Sequence, residues 1–146
     1  DVKQTSYISS WDPKEVADFH ETIGNKKTPL VKLPGLAKRL GIGSLLLKDE
    51  SHRFGLNAFK ALGASYAMYR QIEKNPQIKT FCTAADGNHG RAVAWMARKL
   101  GRKALIYMPQ GTVPDRVRAI EQEGADLFVI DQAYDIAVNQ IQTLDY

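Results

Sequence analysis

Residues 80–101, TFCTAADGNHGRAVAWMARKLG, decide the fold. Thr80 to Ala84 is short and largely apolar, which suits a buried strand, and His89 to Leu100 reads as a helix closed by Gly101. Between them lies a turn of small residues. The same order of strand, turn and helix recurs on both sides of this unit. Residues 44–48 lead to a predicted helix over 57–74, and residues 104–108 lead to one over 113–123, closed by Gly124. A last unit pairs residues 127–130 with a predicted helix from Tyr134 to about Thr143. Repeated units with apolar strands argue for a three-layer α/β fold, a mostly parallel sheet with helices on both faces. In such sheets ligands sit at the carboxyl ends of the strands. The loops 49–60 and 85–89 both follow strands and precede helices, so they are expected to meet on one sheet edge.

Working outward, Asp12-Pro13-Lys14-Glu15 supplies a capping residue, a proline for the first helical position and a glutamate at the third. A helix is therefore predicted to about Ile23, before Gly24. Thr28-Pro29-Leu30 reads as an extended turn, and Pro34 opens a short helix that ends near Gly41. This divides the chain into an N-terminal helical segment and turn over 1–43 and an α/β region over 44–146. No fixed-period repeat or low-complexity tract divides it further.

The 146 residues are 44% hydrophobic and 25% charged, the range of an ordinary globular domain with one sizeable core. A net charge of +4 is spread without a basic block, which argues for a solvated surface and against a nucleic-acid partner. A single cysteine, Cys82, cannot form an internal disulfide and suggests a reducing compartment; cytoplasm is the expectation, with no membrane partner. No stretch has the roughly 20 apolar residues of a bilayer span. His20, His52, His89 and Cys82 lack metal-ligand spacing, so no metal is expected, and no Walker sequence occurs. A thiol pair of Cys82 with His89 is conceivable, but a mid-strand cysteine more often packs as a small hydrophobe.

Two stretches concentrate chemistry. Residues 51–63, SHRFGLNAFKALG, set Lys60 in the first turn of a predicted helix. A helix start carries the positive end of the macrodipole, which favours the neutral nucleophilic amine that Schiff-base chemistry needs. On this stretch alone, a solvated surface lysine is the commoner reading. Residues 83–91, TAADGNHGR, form a strand end, a small-residue turn and a helix start, where backbone N–H groups can receive an anion such as a substrate carboxylate. The plainer alternative is that Asp86 or Asn88 simply caps the helix. Two such motifs converging on one edge weaken both plain readings.

The residues now reach a resemblance. RFGLNAFK at 53–60 with Gly63, DGNHGR at 86–91 and IYMP at 106–109 resemble the diaminopropionate ammonia-lyases, fold-type II pyridoxal-phosphate enzymes of the tryptophan synthase beta-like superfamily. KDES at 48–51 and RVRAI at 116–120 add to the likeness, which runs from about Thr28 to the C-terminus. The resemblance implies a pyridoxal 5'-phosphate cofactor on Lys60, with Phe59 near its ring and Asn88 on its phenolic oxygen. It implies a substrate loop of Ala85, Asp86, Gly87 and His89, with Lys60 and Asp86 as the catalytic acid/base pair. The reaction implied is α,β-elimination of 2,3-diaminopropionate to pyruvate and ammonia, by a homodimer. The alternatives are a serine/threonine dehydratase-like lyase, against which Asp86 argues, and a non-catalytic fragment. No glycine-rich phosphate loop occurs, so the chain reads as the N-terminal part of such an enzyme. It is expected to bind the cofactor weakly and to be inactive alone.

Overall fold

A computed structural model of the chain describes residues 12–130. The helix expected over 134–143 lies outside them. Helix α1 spans Pro13–Thr22; the Asp12 carboxylate accepts the Lys14 amide at 2.8 Å and Pro13 fills the first turn, so the local sequence sets this start. Strand β1 (Leu30–Lys32) and helix α2 (Pro34–Leu40) follow. Gly41, at φ 67°, closes α2 in the left-handed conformation that a residue with a Cβ adopts only at a cost. Strand β2 (Leu46–Lys48) then pairs antiparallel with β1, Leu30 opposite Lys48 and Lys32 opposite Leu46.

This pairing corrects two expectations. The apolar run at 44–48 is not the first strand of the parallel sheet; it forms a separate two-stranded ribbon with residues 30–32, the first of which the sequence assigns to the turn at 28–30. The ribbon also joins the two sides of the 43/44 boundary. Every residue of both strands is exposed, including Leu46 and Leu47 at 50% and 51%, so apolar character alone did not report burial.

The main sheet consists of β3 (Thr80–Ala84), β4 (Lys103–Pro109) and β5 (Asp126–Ile130), parallel and in sequence order. Between them run α4 (Asn88–Lys99) and α5 (Pro114–Glu121), while α3 (Lys60–Lys74) precedes β3. The α/β class expected from the sequence is the one observed. Along β4 burial alternates, so Ala104, Ile106 and Met108 turn into the core against α4. The pairing register puts Cys82, Leu105, Tyr107 and Phe128 on the opposite face, where the Tyr107 and Phe128 rings stack at 5.2 Å.

Helix α4 is the centre of the core: Ala92, Val93, Ala94, Trp95, Met96 and Ala97 are all buried. It packs against α3 through a face of small side chains, Ala61, Ala64 and Ser65, which lets the two helices approach closely. His20 ties α1 to α3: its Nε2 lies 2.8 Å from the Leu62 carbonyl, which can only accept, so that nitrogen carries the proton. Buried Glu123 accepts from Arg91 (3.2 Å) and Arg98 (2.6 Å) and fixes the end of α5 to α4.

Helix α3 begins at Lys60, three residues later than the sequence suggests, because the chain before it is left-handed at Phe54 (φ 52°), Gly55 (φ 72°) and Asn57 (φ 58°). Asparagine tolerates this region; phenylalanine there costs about 1–3 kcal/mol, to be met by surrounding contacts. Those contacts centre on Arg53. Its Nε and Nη2 each donate at 2.8 Å to Glu50, Nη2 also to Thr28 Oγ1 (3.2 Å), and Nη1 to the Lys26 carbonyl (2.9 Å) and the Asn25 side chain. Five donors meet five acceptors, which is all the guanidinium has.

Hydrogen bonds from Arg53 and Thr28, with the Arg53 and Lys48 charges, hold the Glu50 carboxyl well below its ordinary 4.5, at about 2. The unfolded carboxyl protonates first, so the stability this group contributes is complete above about pH 4.5 and drains away as pH falls toward 2. Thermal unfolding of wild type and Glu50→Gln should therefore show a Tm difference that is widest near neutrality and narrows steadily between pH 5 and pH 2. A difference that stays constant over that interval would mean that Glu50 is not ion-paired in the fold.

Candidate functional site

Where β3 ends and α4 begins, the chain turns in small residues. Ala84 and Ala85 are buried, and the Ala85 amide donates at 2.9 Å to the Tyr107 carbonyl, holding the start of the turn on the sheet. Gly87 is the N-cap of α4, and no side chain caps this helix. That settles one question the sequence left open: neither Asp86 nor Asn88 serves as a capping side chain. The first amides of α4 are left directed toward the loop, with the positive end of the helix dipole behind them.

Lys60 meets this loop although β2 is not in the parallel sheet. What brings them together is the packing of α3 on α4, since each helix contributes its first residues. The result is a cavity of about 390 Å³ lined by Lys60, Ala85, Asp86, Gly87, Asn88, His89 and Arg116. All the residues singled out in the sequence are there except Phe59. That ring is 57% exposed and lies beside the lysine, with Lys60 Nζ 5.4 Å from its centroid.

Charge shapes the cavity. Desolvation of the His89 imidazole, and after it the nearby Lys60 charge, hold that ring's pKa below its ordinary range. Asp86 pairs with Arg116 at 3.6 Å; both are more than half exposed, so the pair adds little stability and leaves the carboxylate accessible. Arg116 was not singled out in the sequence as a site residue. Its signal was positional: it lies in the first turn of α5, which follows β4 on the same sheet edge.

Three grooves are larger. Two are about 630 Å³, one between α3 and β3 beside Met68, Phe81, Cys82 and Leu105, the other among α1, α3 and α4 beside Phe19, Tyr69 and Met96; a third, about 600 Å³, lies beside α2 and β2 against Pro34, Ala37 and Leu46. None of the three includes Lys60 or the turn at the start of α4. Cys82 lies in the first of them and not beside His89 in the cavity, so the conceivable thiol pair is not assembled. Burial pushes the Cys82 thiol pKa up, away from nucleophilic use. Among the described residues no cluster of His, Cys, Asp and Glu suits a metal ion, and no helix is long and apolar enough to cross a membrane.

Comparison with known proteins gives this geometry a context. Residues 21–145 match the model of a family described as pyridoxal-phosphate dependent enzyme. The diaminopropionate ammonia-lyase of Salmonella typhimurium is 44% identical over 146 aligned positions, covering 85% of this chain and 36% of that protein. The enzyme of that name from Escherichia coli K12 is 44% identical over 154 positions, covering 92% and 39%. A crystal structure of the Escherichia coli enzyme, in complex with an aminoacrylate-PLP azomethine reaction intermediate, superposes with a TM-score of 0.83 at 45% identity, over 88% of this chain and 37% of that one. The chain thus spans little more than a third of the length of these relatives.

The loop's closeness to the sheet rests on Gly90. A Cβ built there would sit 3.1 Å from Ala85 Cβ and Ile106 Cγ2 and 3.3 Å from Ile120 Cδ1. Ala85 has no rotamer by which to withdraw, so Gly90→Ala must push the loop outward. We expect it to destabilise the fold by about 1–3 kcal/mol in chemical denaturation. An unchanged or raised midpoint would mean that α4 has room to spare here.

Proposed function

The chain belongs to the pyridoxal-phosphate dependent enzyme family, and from that premise we propose that it is the cofactor-lysine region of a diaminopropionate ammonia-lyase. The observation that carries this reading is the convergence of Lys60, Asp86 and the uncapped start of α4 on one cavity. The residues fit the cofactor: a primary amine stands at a helix start, facing a small-residue loop and a helix start without a side-chain cap, and Asn88 lines the same space. In this reading Lys60 holds pyridoxal 5'-phosphate, with Phe59 beside its ring and Asn88 donating to its phenolic oxygen. Ala85, Asp86, Gly87 and His89 receive the substrate, their backbone amides donating to its carboxylate. The bound cofactor supplies an electron sink that stabilises the carbanion left when the α-proton departs.

The chain's own groups then divide the proton work. Lys60, once free as an amine, takes the α-proton from one side; Asp86, paired only with Arg116 and open to the cavity, takes it from the other. Two bases on opposite sides would allow both enantiomers of 2,3-diaminopropionate to be eliminated to pyruvate and ammonia. His89, whose pKa is held below its ordinary range, can offer its ring N–H as a hydrogen bond to the substrate without adding a cation beside Lys60. In the same reading residues 44–146 carry the site, residues 1–43 form the N-terminal helical segment that supports it, and the whole protein is a cytoplasmic homodimer. The lone half-buried cysteine supports the compartment.

Two measurements on the full-length protein test this. Borohydride reduction followed by peptide mapping should find the cofactor on Lys60, and Lys60→Ala should abolish that label and reduce elimination by roughly three orders of magnitude. Label on Lys48 or Lys74 would overturn the assignment. Separately, Asp86→Asn should cost one enantiomer, the D form, about 10²–10⁴-fold in kcat while sparing the other. Equal rates on both enantiomers for wild type and variant would remove Asp86 from the chemistry.

A further inference from the structure

The turn that presents Lys60 is held from two sides. On one, the saturated Arg53 guanidinium joins it to residues 25–28, between α1 and β1. On the other, the Phe54 ring lies 4.9 Å from that of Trp95 in α4, and the Leu56 carbonyl accepts from Arg91 Nη1 at 3.5 Å. Between these anchors the backbone is left-handed at three of four positions, Phe54, Gly55 and Asn57, and relaxes into helix only at Lys60. A turn of that kind persists only when its surroundings over-determine it.

We propose that Arg53, held by Glu50 and Thr28, is a positioning residue that locks the 54–57 turn in the one conformation presenting the Lys60 amine to the 85–89 loop. Three observations carry this. Arg53 is only 7% exposed, so its charge is buried and needs every partner it has. Its partner is shared: Thr28 Oγ1 donates to the same Glu50 carboxylate at 2.7 Å, and Lys48 Nζ donates to the Thr28 carbonyl at 2.7 Å, so the clamp is braced from β2 as well. Finally, the Glu50 side chain is only 21% exposed, and an ion pair this far removed from water gives little net stability over apolar side chains of the same volume but can specify one conformation. A lysine offers three donors on a flexible stem and cannot replace a five-donor fork.

The catalytic consequence rests on the reading of Lys60 as the cofactor lysine; the mechanical claim does not. The test uses full-length protein carrying Arg53→Met, Arg53→Lys or Glu50→Gln, with Phe81→Leu as a core-trimming control near the far end of β3. Amide hydrogen exchange at residues 54–60 of the cofactor-free protein is one readout; kcat, KM and borohydride labelling of the loaded enzyme are the other. Arg53→Met should raise exchange in that segment by about tenfold or more and reduce kcat about a hundredfold with little change in KM. Arg53→Lys should restore part of both, and Phe81→Leu should lower Tm while moving neither. If Arg53→Met matches Phe81→Leu in exchange and in kcat at equal loss of Tm, Arg53 is merely structural and the proposal falls. Should Arg53→Met not fold, Arg53→Lys and Glu50→Gln decide by the same two readouts. Wild-type label on a lysine other than Lys60 would defeat the cofactor assignment, while the exchange data would still judge the clamp.

Discussion

Helix α4 touches the sheet through a hydrogen atom. At Gly90 the space a methyl group would need is already taken by Ala85, Ile106 and Ile120, residues of the loop, of β4 and of α5. Because the helix can come this near, its first turn sits directly over the carboxyl end of β3, and the amides at its start open into the cavity. Because it is buried on every side from Ala92 to Ala97, it also becomes the surface on which α3 must pack. The position of Lys60 follows from that second contact. One glycine therefore governs both halves of the site.

Electrostatics then fix what packing leaves loose. Two arginines with carboxylate partners, Arg53 on half-buried Glu50 and Arg91 on buried Glu123, flank the lysine turn. In each case the carboxylate accepts from a second side chain, so neither charge is left unmatched where water is scarce. The arrangement inside the cavity is the reverse. Asp86 and Arg116 are accessible and separable, which is what a group that must exchange protons or meet a substrate requires.

Much of this was legible in the sequence, for identifiable reasons. The helix from Pro13 was readable because Asp12 and Pro13 act on their own neighbours, and the strand at 80–84 because a turn and a helix bounded it closely. The residues of the cavity other than Arg116 could be named in advance because they lie in two contiguous stretches. What failed depended on distant partners. No local pattern reveals that residues 46–48 pair with 30–32, nor that an apolar run lies on the surface. The start of α3 was misplaced because a helical pattern that runs back to Asn57 is overruled by a left-handed turn whose support comes from residues 25–28. Arg116 was passed over because a lone arginine in a helix acquires meaning only beside Asp86.

Cys82 illustrates how the fold apportions reactivity. Thiolate, not thiol, is attacked by peroxides and alkylating reagents, and desolvation on β3 keeps the thiolate fraction below that of a free cysteine. The side chain also sits in a groove separate from the cavity that Lys60 lines. An electrophile in the cavity therefore has Lys60 and not Cys82 before it, so aldehyde labelling reports on the cavity and thiol labelling on the groove.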